Sequence, residues 1–269
     1  MHPIQHLSRK KNLLLALDAF KTLYRPNSPI PTQYARIGMK YGVLGHRDEI
    51  ASLRTSFKHA FEEQSSTNPN YGKATGLGAE NWWANVIKST FNPFLKSGQK
   101  VPQAMVSELL TCYSTSEGYK MYHDVMPFFN MLRERKTQAN LESPWKWDKT
   151  VVGIVTNSDD RVPGILESFG LRVGTRRVGV KTERSARANL DDDISFVVMS
   201  YDVGFEKPDR RIFQAAEAML KETLAEDGEG VEEQAIGGFE MLYVGDSFEK
   251  DYLGAKDSGW EAVMVDRAG

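Results

Sequence analysis

Four short segments carry the residues that could do chemistry. Asp18 closes the apolar run NLLLAL, with Thr22 four positions later; Thr156 and Asn157 close TVVGIV; Lys207 sits before Pro208, beyond ISFVVM; and Gly245 and Asp246 close FEMLYV, with Asp251 five positions on. Three carboxylates, one lysine and a few small polar residues suit phosphoryl transfer. A carboxylate can attack phosphorus and form an aspartyl-phosphate. Two anions resist approach, by roughly 4 kcal/mol for unit charges about 4 Å apart at an effective dielectric near 20. A magnesium ion held by carboxylates removes that barrier. A lysine neutralises more of the charge, and hydroxyl or amide groups orient the phosphoryl oxygens.

These residues act together only if one scaffold aims them at one place. The runs 12–20, 150–158, 194–202, 239–247 and 261–267 are continuously apolar, as expected for strands covered on both faces of a parallel sheet. Helical patterns lie between them, at 209–226 and 250–259 for example. Alternating strands and helices predict a doubly wound, Rossmann-like α/β sheet. Ligands bind beyond the carboxyl ends of such strands, where the candidate residues fall. The long gap after the first strand reads as helix at 31–43, 49–65, 79–91 and 101–114. The expectation is an inserted helical domain over residues 26–121 and a core domain made of residues 1–25 and 122–269. Three polar stretches, 137–149, 175–193 and 225–238, read as surface insertions.

Taken in order, DAFKT (18–22), VTN (155–157), FEKPD (205–209) and GDSFEKD (245–251) resemble the four motifs of the haloacid dehalogenase-like (HAD) hydrolase superfamily. The resemblance runs from Leu13 to Arg267, and YHDVMP (122–127) resembles the segment where such chains return from cap to core. It implies a parallel-sheet HAD core with an inserted helical cap domain. It also implies Asp18 as nucleophile and metal ligand, Lys207 as the catalytic cation, and Thr22, Thr156 and Asn157 on the substrate. Asp246, Asp251 and the Phe20 carbonyl complete the Mg²⁺ site. The implied substrate is a small phosphorylated compound.

One position departs from the family pattern. HAD phosphatases carry a second aspartate two residues after the nucleophile, to protonate the leaving group and then activate water. Phe20 stands there. Losing a general acid-base costs about 100- to 10,000-fold, least for acyl or aryl phosphates, whose leaving groups need no proton. Lys21 is not expected to substitute, since neighbours on an extended loop point apart. Two alternatives stay open: a catalytically weak HAD fold serving binding or regulation, and, ranked lower, a 2-haloacid dehalogenase, whose chemistry has little use for the Asp246–Asp251 pair.

Composition narrows the remaining classes. The 269 residues carry a formal charge of −2, which gives no electrostatic case for nucleic acid or an anionic membrane as partner. No stretch approaches the roughly 20 apolar residues of a membrane span. Arg9–Lys11 before Leu13–Leu17 reads as a basic lead-in to a buried strand rather than a signal peptide. The lone Cys112 excludes an internal disulfide and fits a reducing compartment, cytoplasmic or nuclear. Blander roles suit several other residues: Asp159 and Asp160 as helix caps, at least one of Trp82 and Trp83 as core, and His59, His123 and Cys112 as structural.

Overall fold

The computed structural model describes residues 12–46, 49–137, 145–180, 192–226 and 238–267. The expected lead-in before Asn12 and most of the 225–238 stretch lie outside the described residues. Strand β1 (Asn12–Leu17) is followed by a short β2 (Tyr24–Pro26) and then by helices α1 (Ile30–Lys40), α2 (Ile50–Thr67), α3 (Ala79–Phe91) and α4 (Gln103–Cys112). The chain returns through β3 (Tyr119–Met121), antiparallel to β2, into α5 (Val125–Thr137) and β4 (Thr150–Thr156). Then come α6 (Val162–Ser168), β5 (Val173–Arg177), β6 (Ile194–Met199), α7 (Ser200–Val203), α8 (Arg210–Glu226) and β7 (Phe239–Gly245). A π-helical turn (Phe248–Leu253), α9 (Gly254–Asp257) and β8 (Glu261–Met264) complete the chain.

Six strands form one parallel sheet in the order β5-β6-β4-β1-β7-β8. This is the doubly wound Rossmann-like α/β fold that the sequence predicts. Its two-sided burial explains the unbroken apolar runs. In β1, Leu13, Leu15 and Leu17 enter one core with Val125, Phe129 and Ile165, whereas Leu14 and Ala16 enter the other with Phe213, Ala216 and Leu220. Each such leucine contributes about 1.5–3 kcal/mol by leaving water. From β1 the chain passes to β4, on to β5 at the edge and back to β6 between them, then crosses to β7 on the other side of β1. The order therefore reverses beside β1, where open α/β sheets leave a crevice.

Helices α1 to α4 bury their own apolar faces. Tyr34, Ile37, Leu53, Ile87, Phe91, Met105 and Leu109 form one cluster, and Ala60, Trp82 and Val86 form a smaller one. No helix among the described residues is long and apolar enough to cross a membrane.

Two surface-insertion expectations need correction. Val173–Arg177 is the edge strand of the sheet, so the 175–193 stretch begins in β5; residues 181–191 lie outside the described residues. An edge strand covered on one side needs no apolar run, which hid it. Likewise, Trp145 and Trp147 pack on the core, with indole N–H groups donating to Thr150 Oγ1 (3.0 Å) and Glu240 Oε2 (2.6 Å). Residues 138–144 of that stretch lie outside the described residues.

Gly153 shows how tightly β4 is set. A Cβ there would overlap the ring of Phe196 on neighbouring β6, and Phe196 is fully buried. Gly153→Ala is expected to cost about 1–3 kcal/mol in urea denaturation. Adding Phe196→Leu should return part of that loss, because the two sites share one contact.

Candidate active site

Asp18 stands one residue past β1, and its backbone N–H donates to Val244 O of β7 at 2.9 Å. The residue is buried at 6% exposure. Thr22, buried on the loop that follows, donates from Oγ1 to Asp18 Oδ2 at 3.4 Å. The loop turns at Lys21, which adopts φ +64°.

Lys207 reaches this point from beyond β6 and is 4% exposed. Its ammonium donates at 2.7 Å to each of Asp18 Oδ1, Asp251 Oδ1 and Tyr243 Oη. Three acceptors match the three donors of an ammonium. Tyr243 Oη in turn donates to Val155 O at 2.6 Å. Burial, then the charges of Asp18 and Asp251, hold the Tyr243 phenol well above its ordinary value, so it stays protonated. The backbone of Lys207 is fixed by Asn157. Lys207 N–H donates to Asn157 Oδ1 at 2.7 Å, and Asn157 Nδ2 donates to Lys207 O at 3.0 Å.

Asp251 lies in the π-helical turn, where Ser247 N–H donates to its Oδ2 at 2.9 Å. Gly245 is needed opposite it, because a Cβ would overlap the Asp251 carboxylate. Asp246 follows Gly245 and is half-buried. Burial, then the negative charges of Asp18 and Asp251, raise its carboxyl above the usual range. Asp18, Asp246 and Asp251 each present an oxygen within 4.8 Å of the others.

The structure thus brings Asp18, Thr22, Lys207, Asp246 and Asp251 together, with Asn157 joined through Lys207. Thr156 is buried at the end of β4, paired in register with Met199. Phe20, 37% exposed, turns its ring toward Tyr24 and Tyr119 in edge contacts. Tyr243 was missed by sequence reasoning; a hydroxyl-bearing residue inside a buried strand was the available signal.

Comparison with known proteins shows the family. The family model for haloacid dehalogenase-like hydrolases covers residues 14–259. This chain belongs to the HAD-like hydrolase family. Among its relatives is an uncharacterized hydrolase of Schizosaccharomyces pombe, 29% identical over 266 residues, which are 99% of this chain and 95% of that one. Haloacid dehalogenase-like hydrolase domain-containing protein 3 of Bos taurus, from the subgroup the four motifs most resemble, is 26% identical over 255 residues, 94% and 81% of the two chains. A solved HAD phosphatase from Thermococcus onnurineus aligns with TM-score 0.48 and 22% identity over 96% of this chain and 87% of that one.

In this HAD chain, Asp159 caps the entry to α6 as expected, its Oδ1 accepting the backbone N–H of Arg161 at 3.1 Å. Fully buried, it also forms a two-pronged pair with the Arg161 side chain, Oδ1 to Nε and Oδ2 to Nη2, both 2.8 Å. It also accepts the Trp83 indole N–H from α3 at 2.8 Å. The pair therefore ties the helical segment to the sheet; Trp83 faces it while Trp82 is core. Burial alone would raise the Asp159 carboxyl, but Arg161 and Trp83 outweigh it and hold it below the ordinary range. A lowered folded value means the stabilisation is whole above the unfolded value of about 4 and is lost as pH falls through the lower folded value. Asp159→Asn is expected to cost about 3 kcal/mol near pH 7, because it strands a buried guanidinium. Urea denaturation should show the gap to wild type narrowing below about pH 4; an unchanged gap would contradict the ion-pair argument.

Proposed function

We propose that this HAD hydrolase is a Mg²⁺-dependent phosphatase acting on a small phosphorylated compound through an aspartyl-phosphate on Asp18, attenuated by Phe20. The observation that carries the reading is the Asp18–Asp246–Asp251 cluster, with oxygens within 4.8 Å and with Lys207 bridging Asp18 and Asp251. The donor set fits Mg²⁺. All donors are hard oxygens, the ligand type that Mg²⁺ prefers. Three carboxylates facing one ammonium also leave an excess of two negative charges, which a divalent cation balances. Asp246, Asp251, Asp18 and the Phe20 carbonyl would hold it, and when bound it supplies charge neutralisation at the phosphoryl oxygens.

The chain's own residues then account for the steps. Lys207 and Thr22 orient Asp18, and Lys207 offsets the negative charge gathered near it. An Asp18 carboxylate oxygen bonds to phosphorus as the bond to the leaving oxygen breaks, and that oxygen departs with the electron pair. Water then attacks the aspartyl-phosphate, releasing phosphate and restoring Asp18. Phe20 offers no proton at either step, so good leaving groups are favoured. Asn157 positions Lys207 through its backbone. Thr156 and Asn157 line the phosphoryl side from the end of β4.

Residues 26–121 act in this reading as a helical cap domain over a core of residues 1–25 and 122–269. Support comes from the separate packing of α1 to α4 and from the bonds to the core: Trp83 to Asp159, Asn70 Nδ2 to Tyr201 O (3.2 Å) and Lys73 Nζ to Asp202 O (2.6 Å). A cap so placed shields the intermediate from bulk water. The buried thiol of Cys112 suits a reducing compartment, the cytoplasm first.

Hydrolysis of an acyl, an aryl and an alkyl phosphate, with Mg²⁺ and with EDTA, tests the reading. Acyl and aryl turnover should exceed alkyl turnover and vanish with EDTA or Asp18→Asn. Phe20→Asp, which installs the missing acid, should raise alkyl phosphate turnover by about 100-fold or more. Activity indifferent to both EDTA and Asp18→Asn would sink the proposal.

A further inference from the structure

Beside the carboxylates, between the helices and the sheet edge, lies a cavity of about 330 Å³, within the size range of small-molecule sites. Half of the residues in its walls carry rings. They run as a connected series from the active site inward: Phe20 to Tyr119 at 6.4 Å between centroids, Tyr119 to Tyr113 at 5.7 Å, and Tyr113 to Tyr34 at 5.9 Å. Trp83 and Tyr71 form a facing part of the wall. Carboxylate and guanidinium enter the lining as one pair, Asp159 with Arg161, already matched to each other. The wall therefore offers a bound group extensive ring surface and no unmatched charge.

The position fixes what would occupy the cavity. Phe20 and Asn157 line it; Phe20 stands two residues after Asp18, and Asn157 is hydrogen-bonded to the Lys207 backbone. A phosphoryl group held at Asp18 would direct its ester substituent past Phe20 into the rings. Resting on the phosphatase reading above, we infer that the cavity takes an aromatic or otherwise apolar leaving group of one or two rings and disfavours polyhydroxylated or charged ones. A sugar or carboxylated group would lose its water there against a wall in which Asp159 is tied to Arg161 and Asn157 to Lys207, with the buried Tyr113 Oη as one hydroxyl lacking a partner, too little to replace the bonds of several hydroxyls or a charge. A flat ring stacks edge-on or offset against Phe20, Tyr119 and Trp83. The same chemistry joins the cavity to Phe20 at the acid position, because an aryl oxygen leaves without a donated proton.

Unreactive analogues separate this preference from leaving-group reactivity. Naphthylmethylphosphonate and methylphosphonate differ only in the rings. Both would be measured as inhibitors of Mg²⁺-dependent acetyl phosphate hydrolysis by the full chain, and titrated calorimetrically. The naphthyl compound should bind at least about tenfold tighter. Leu110→Trp, which fills the cavity from α4, should erase that ratio; should it fail to fold, as judged by circular dichroism, Leu110→Phe replaces it. Equal binding of the two phosphonates alongside Asp18-dependent acetyl phosphate turnover would overturn the inference and leave the phosphatase reading standing. A preference untouched by filling the cavity would overturn it too. Without acetyl phosphate turnover the phosphatase reading falls, and the calorimetric ratio, tenfold or equal, still decides for or against the cavity's preference.

Discussion

The buried ammonium of Lys207 is the interaction on which the rest of the site depends. Removing an ammonium and two carboxylates from water costs several kcal/mol per ion, and only close, fully satisfied geometry offsets it. Here all three ammonium protons find acceptors at 2.7 Å. That geometry needs four separate pieces of chain to end at one place. β1 delivers Asp18, β7 carries Tyr243 and leads to Asp251, β4 supplies Val155 O and Asn157, and the segment after β6 supplies Lys207. A parallel sheet does this because its strands finish at the same edge, and the change of direction beside β1 opens the space there.

The same constraint explains which features were legible in the sequence. Acids and a lysine at the ends of unbroken apolar runs are conspicuous, because a strand buried on both faces has no other place for charge. The helices between residues 30 and 112 were legible from their periodic apolar faces. Strand β5 was not, since an edge strand of residues such as Thr175, Arg176 and Arg177 carries neither an apolar run nor a clear alternation. Tyr243 read as one more apolar strand residue, although its hydroxyl links Lys207 to β4. Asp159 was legible as a local cap, but its bond to Trp83, 76 positions away in the chain, was not. Asn157 likewise spends its amide on Lys207, 50 positions away. Sequence proximity favours local explanations for polar residues, and burial in the fold selects distant ones.

Phe20 divides the site into two halves of opposite character. On the sheet side lie three carboxylates and Lys207, where charge is concentrated and where, in the proposed reading, a divalent cation would balance the excess. On the helical side the rings of Phe20, Tyr119, Tyr113 and Tyr34 continue into the cavity. An aspartate at position 20 would place a fourth acid at the boundary and press its charge against those rings, with no cation of the cavity wall free to answer it, since Arg161 is matched to Asp159. The phenylalanine and the aromatic wall are therefore physically consistent with each other. In the proposed phosphatase, loss of a proton donor and gain of an apolar leaving-group surface would follow from the same side chain, so a weaker general acid would be matched by a site shaped for groups that do not require one.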